Sequence, residues 1–232
     1  SAQILERDGD VEEIKLLVDD AMKAGTERNL GHDYLEDFEE RYSETARITT
    51  PTPWDIINEL MQGGLGQGEL GVVVAPAGIG KSWVLSAMGA YAISQGKNVV
   101  HYTLELNESY VGLRYDSIFS GVEGQNLMYH KDEVLEKVEK VEGDLTIKYY
   151  PTRSCTVNTL SAHIKKATSF GAEVDMILVD YADIMRDVSK STEMRHQLGN
   201  IYEDLRGLAG EMQIPIWTAS QANRSALDED VI

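Results

Sequence analysis

From residue 70 onward the chain alternates between two patterns. Short apolar runs, GVVVA at 71–75, NVVHYTLE at 98–105, LTIKYY at 145–150, MILVDYA at 176–182 and PIWTAS at 215–220, read as strands. Between them, helical segments are predicted over 81–94, 110–119, 131–141, 156–170 and 192–212. Gly96 stops the first of these, and Ser154 or Thr156 caps the fourth. Strands alternating with helices in this way belong in a mainly parallel sheet covered on both faces, an α/β fold.

The front of the chain follows another pattern. Val11, Ile14, Leu17, Val18 and Met22 fall on one side of an amphipathic helix predicted over 10–24 and ending near Gly25. That apolar stripe needs a partner, either its own domain or a neighbouring subunit. Residues 26–50 are acidic, with weaker helical signals at 34–42. TTPTP at 49–53 reads as a linker end or turn, and 54–61 as a short helix before the glycine-rich LMQGGLGQGELG. The chain thus divides into an acidic helical linker, 1–50, and a larger domain, 51–232.

Charge narrows the picture. The net charge is −18, of which −10 falls in residues 1–60 and −8 in the rest. A strongly basic nucleic-acid-binding domain is excluded, a local basic loop is not, and a lone subunit should bind nucleic acid weakly. The single cysteine, Cys155, has no internal partner and points to a reducing compartment, as a small buried or loop thiol. No apolar run reaches the ~18 residues of a membrane span. The opening SAQILERDGD lacks the apolar core of a secretory signal, so a cytoplasmic location without membrane contact is expected.

The richest chemistry is VVVAPAGIGKSW. A strand, a glycine-bearing turn and a helix start come in the order a phosphate-binding loop requires, with Ala75 where the usual pattern has its first glycine. Ala75, Pro76, Ala77, Gly78, Ile79, Gly80, Lys81, Ser82 and Trp83 are the candidate nucleotide-binding residues. Backbone N–H groups and the helix N-terminus would wrap the phosphates, and Lys81 would neutralise the β- and γ-phosphates. The Ser82 hydroxyl would ligate Mg²⁺. Asp180, ending the apolar strand MILVD, is the second candidate Mg²⁺ residue, acting through water. Glu105, at the end of another strand, is placed to polarise an attacking water. Gln221, at the tip of the last strand, offers an amide to the γ-phosphate or its water. Asp183 reads as a solvated loop acid, and Glu108 as a helix-start charge.

The order APAGIGKS, TLELNESYVGLR, ILVDYADIM, TASQANRS resembles the RecA-type motor core of DnaB-family replicative helicases over residues 55–225. The residues that carry the resemblance are Lys81 and Ser82, Glu105 with Arg114, Asp180 with Tyr181, and Ser220, Gln221, Asn223 and Arg224. The divergent segments between these motifs fit a phage-like version. The resemblance implies a RecA-like P-loop NTPase that uses ATP or another NTP with Mg²⁺ to translocate on single-stranded DNA as a hexameric ring. It implies that the 10–24 helix packs on the adjacent subunit, and that primase or a helicase loader is a partner. It places a DNA-facing loop at 185–197, with Arg186, Lys190 and Arg195 as its cations, and Arg224 on a second loop. No arginine in this sequence matches the family's arginine finger. The chain is therefore expected to be a C-terminally truncated core that binds ATP and hydrolyses it slowly. A RecA-like recombinase, a KaiC-like signalling ATPase and a small-molecule P-loop kinase are the competing readings. The glutamine-x-asparagine-arginine ending and the Leu-Glu pair favour the helicase over the recombinase, and the arginine-free helix at 131–144 disfavours the kinase.

Overall fold

In the computed structural model, residues 18, 31, 33–43, 47–189 and 193–222 are described. The chain forms two compact units, Ser1–Ala46 and Arg47–Ile232. In the first, Val18 is helical, while the rest of the helix expected over 10–24 lies outside the described residues. Helix α1, Phe38–Ser43, follows a turn in which Asp33 Oδ1 accepts from the N–H groups of Leu35 and Glu36.

The second unit opens with a small ladder that the sequence pattern did not reveal. Strand β1, Thr49–Thr50, pairs antiparallel with β2, Leu65–Gly66, on either side of helix α2, Asp55–Leu60. The TTPTP run is thus no free linker. Thr52 is buried and bonded to Asn58. The glycine-rich run makes this possible. A Cβ at Gly64 would lie 2.3 Å from the Thr50 carbonyl oxygen, and Gly64 holds φ +117°.

The main sheet is five-stranded and all its pairings are parallel. Its strands are β3 (Leu70–Ala75), β4 (Val99–Thr103), β5 (Leu145–Tyr149), β6 (Met176–Asp180) and β7 (Ile216–Gln221), ordered β3-β7-β6-β4-β5. Alternate side chains divide between two cores. Val99, Met176, Leu178, Trp217 and Ala219 face one core, with helices α3 (Lys81–Ser94) and α4 (Glu108–Ser120). Val100, Tyr102, Leu104, Ile177, Val179 and Ile216 face the other, with α6 (Val157–Ser169) and α7 (Met194–Met212). Helix α5, Lys131–Val138, lies beyond α4, after a 3₁₀ segment at Gly124–Tyr129.

Caps follow local chemistry. Asn107 Oδ1 accepts from the Tyr110 N–H at the start of α4. Thr156, rather than Ser154, caps α6 through a reciprocal bond pair with Thr159. Two predicted strands end two residues early, each for a visible reason. Thr103 Oγ1 bonds both the N–H and the carbonyl of Leu106, turning the chain after Thr103. Past Asp180 the Ala182 N–H is taken by Thr218 Oγ1, and a 3₁₀ turn, Ala182–Ile184, follows. Cys155 is buried and free, and burial pushes its thiol up to about 12. Among the described residues no helix is long and apolar enough to cross a membrane.

Candidate functional site

A parallel sheet brings every strand's C-terminal end to the same edge, and ligands of open α/β sheets bind there. The register sets the neighbours at that edge. Ala75 stands opposite Gln221, and Thr103 opposite Asp180. Gln221 and Asp180 therefore end their strands beside the phosphate loop, while Glu105 sits in the turn just past β4.

The loop is built for close approach. Gly78 and Gly80 hold φ +78° and +102°, with open space where a Cβ would stand. An L-residue is strained at such φ, so glycine is required by conformation here rather than by crowding. Gly80 is the N-cap of the fourteen-residue α3 and has no side chain to cap it, which leaves the helix's first N–H groups to an anion. Lys81 Nζ donates to the carbonyls of Ala75 and Pro76, both at 3.0 Å, folding back over the loop, and lies 5.9 Å from the Tyr181 ring centroid. Ala77, Gly78 and Ile79 are exposed. The Trp83 ring stands next to α4, carrying the Arg114 guanidinium 5.5 Å from its centroid.

The decisive contact joins residues 98 positions apart. Ser82 Oγ donates to Asp180 Oδ1 at 3.0 Å. Asp180 is 1% exposed, and its other oxygen faces Arg114 Nη1 at 3.9 Å, an ion pair too long for a hydrogen bond. Burial pushes the Asp180 carboxyl above the usual carboxylate range. The Ser82 hydroxyl and the Arg114 and Lys81 charges pull it down, while the charge of Glu105 pushes it up. Burial likewise raises Tyr181, with Glu105, Asp183 and Asp180 adding to the rise. Lys81, Ser82, Glu105 and Asp180 thus share one electrostatic neighbourhood. Two hard oxygen donors suit Mg²⁺, which keeps several waters and completes its shell with substrate phosphates rather than with an all-protein cage.

Beneath Asp180 lies a buried polar layer. His101 Nδ1 bonds the Tyr115 hydroxyl at 2.8 Å, and both side chains are almost wholly enclosed. Burial, then the Arg114 charge, drives His101 down to about 3.

Two cations expected to face DNA, Arg186 and Arg195, are exposed on either side of residues 190–192. Lys190 and Arg224 lie outside the described residues. Asp183 differs from its sequence reading. It is half-buried and accepts from the Gln221 N–H, the Ser220 hydroxyl and the Tyr202 hydroxyl. Nothing in the spacing around Asp183 signalled this, because its three partners come from β7 and α7. Glu108 does start α4, and its Oε1 also accepts from the Tyr149 N–H.

A glycine-turned phosphate loop, a serine–aspartate pair at its mouth and a carboxylate just past a neighbouring strand end define a RecA-like P-loop NTPase core. The family model that matches residues 51–230 is that of the DnaB-like helicase C-terminal domain, and the chain belongs to that family. It is 29% identical to a DnaB-like replicative helicase of Enterobacteria phage T4, over 94% of this chain and 49% of that protein. It is 27% identical to the replicative DNA helicase DnaB of Helicobacter pylori, over 72% of this chain and 35% of that protein. The chain therefore spans about half or less of the length of these relatives. Among solved structures, a DnaB-like replicative helicase studied with its primase interactions aligns over 95% of this chain and 56% of its own, with TM-score 0.70 and 14% identity. A second solved structure, an ATPase domain, aligns over 83% of this chain and 71% of its own, with TM-score 0.68 and 14% identity. Both likenesses speak for the fold.

Proposed function

We infer that this chain is the ATP-hydrolysing motor of a replicative DNA helicase, working as a homohexameric ring on single-stranded DNA. The observation that supports the reading best is the Ser82–Asp180 contact, with Glu105 in the same electrostatic neighbourhood. In this reading the 75–83 loop wraps the triphosphate, and Lys81 exchanges its two loop carbonyls for phosphate oxygens. Ser82 directly and Asp180 through water would hold Mg²⁺, which when bound would neutralise charge building on the phosphates. Glu105 takes the proton of the attacking water, and its exposed turn leaves room for that water. Gln221 senses the γ-phosphate from the neighbouring strand tip.

Arg186, Lys190, Arg195 and Arg224 contact DNA phosphates. A net charge of −18 makes one copy a weak binder, and a ring repeats the cations around a single channel. The 10–24 helix docks on the adjacent subunit, so the division of labour is a linker at 1–50 and a motor at 51–232. A primase or a helicase loader is the partner, and the compartment is a bacterial cytoplasm, that of the host for a phage-encoded chain.

The test is Glu105→Gln in the assembled protein on single-stranded DNA. ATP should still bind, and hydrolysis should fall about 10²- to 10⁴-fold, the usual worth of a positioned base. Normal turnover would remove Glu105 from the role of base.

A further inference from the structure

Asp183 stands in the 3₁₀ turn just past Asp180, and its carboxylate is filled by three donors from two other elements. Oδ2 accepts from the Gln221 N–H at 2.7 Å and from Ser220 Oγ at 3.2 Å, while Oδ1 accepts from the Tyr202 hydroxyl. The first two donors belong to the tip of β7, and the third to α7. Two residues earlier on α7, Asn200 Nδ2 donates to Ser189 Oγ at 2.8 Å and to Asp187 Oδ2 at 3.2 Å. Ser189 in turn bonds Asp187 through its hydroxyl and its backbone N–H. One short stretch of α7 is therefore bonded on one side to Asp183, which holds the strand tip that carries Gln221, and on the other to the start of the basic segment after β6.

The Gln221 N–H has a side-chain carboxyl acceptor rather than a strand neighbour. The place of the Gln221 tip thus depends on a side chain of the strand end that also carries Asp180. We propose that Asp183 is a positioning residue that sets Gln221 against the γ-phosphate and, through Tyr202 and α7, links it to the DNA-facing segment at Asp187 and Ser189. The proposal rests on the reading of Gln221 as the γ-phosphate sensor. It adds the route by which that sensor and the DNA segment feel each other. A shift of the β7 tip passes to α7 through Asp183 and Tyr202, and from Asn200 to Asp187 and Ser189.

The experiment compares Asp183→Ala, Asp183→Asn and Tyr202→Phe in the complete assembled protein, with ATPase rates measured with and without single-stranded DNA. Asparagine keeps an oxygen for the Gln221 N–H and offers its amide to the Tyr202 oxygen, so it serves as the conservative rescue. Asp183→Ala should lower the DNA-stimulated kcat by about two- to thirtyfold while KM for ATP stays within about twofold, the size of coupling changes along such networks. Asp183→Asn should restore most of the loss. Tyr202→Phe should lower DNA stimulation while leaving the Gln221 amide protected. Hydrogen exchange at the Gln221 amide, measured without nucleotide, should quicken in Asp183→Ala and not in Asp183→Asn. The proposal is overturned if Gln221 exchange is the same in all variants, if asparagine fails to rescue, or if Tyr202→Phe leaves DNA stimulation intact. Should the alanine variant not fold, Tyr202→Phe decides the matter: lost DNA stimulation supports the proposal and intact stimulation overturns it. A wild-type protein without DNA-stimulated ATPase would overturn the motor reading instead, and the Gln221 exchange would still decide the positioning role.

Discussion

His101 offers a quantitative prediction about the ground under the candidate site. It is fully buried, bonded through Nδ1 to Tyr115, and close enough to Arg114 for that charge to oppose its protonation. The folded protein holds it neutral down to about 3, whereas the unfolded chain protonates it near 6.5. Between those values the unfolded state binds more protons, so stability rises with pH. The contribution of the neutral imidazole is fully present above 6.5 and is lost as pH falls towards 3. Each pH unit below 6.5 removes about 1.4 kcal/mol, hence roughly 2 kcal/mol by pH 5 and roughly 5 by pH 3. A loss near 2 kcal/mol is a large share of a domain's usual margin.

Replacing His101 by asparagine keeps an acceptor for the Tyr115 hydroxyl and removes the titration. The assay is urea unfolding of both proteins at pH 7.5 and pH 5. The wild type should lose roughly 2 kcal/mol more than His101→Asn over that interval, although the variant starts lower because asparagine fills less space. Parallel losses in the two proteins, or an imidazole signal titrating near 6.5 in the folded wild type, would refute the argument. Such a result would mean that the imidazole is reached by water or that Arg114 does not face it.

Two further predictions bear on the phosphate loop and the helix behind it. Lys81→Ala should weaken ATP binding about 30-fold or more, read by titration calorimetry, since it removes a charge-assisted contact of about 2 kcal/mol. Stability should barely change, because Lys81 bonds only the carbonyls of its own loop and leaves them close to water. Gly89→Ala sets two effects against each other. Alanine favours the helix by about 1 kcal/mol, but its Cβ would stand 2.3 Å from the Tyr115 hydroxyl and 2.8 Å from Leu178 Cδ1. Overpacking at about 1–3 kcal/mol and the unpaired His101 nitrogen should win, giving net destabilisation of about 2 kcal/mol by thermal unfolding. Adding Tyr115→Phe should recover part of it, and a stabilised Gly89→Ala would show that the helix moves to make room.

Much of this protein is written locally in its sequence. The five core strands and the helices between them were legible because each is an apolar run or a helical segment with its own stop or cap, such as Gly96 or Thr156. The glycine turn at 78–80 was legible because positive φ demands glycine at fixed offsets from a lysine and a serine. Family membership was legible from the order of four motifs and agrees with the family match over residues 51–230. Strand order, by contrast, was decided in three dimensions. Nothing local says that β7 inserts between β3 and β6, yet this is what sets Gln221 opposite Ala75. The β1–β2 ladder escaped notice because two-residue strands have no periodicity to read. Asp183 looked like a loop acid because its partners, Tyr202, Ser220 and Gln221, lie 19 to 38 residues away in sequence. Hydrophobic period and turn chemistry act between near neighbours and can be seen along the chain. Hydrogen bonds of buried or half-buried polar groups, as at Asp180, His101 and Asp183, are chosen by whichever elements the cores bring together, and only the folded sheet determines those.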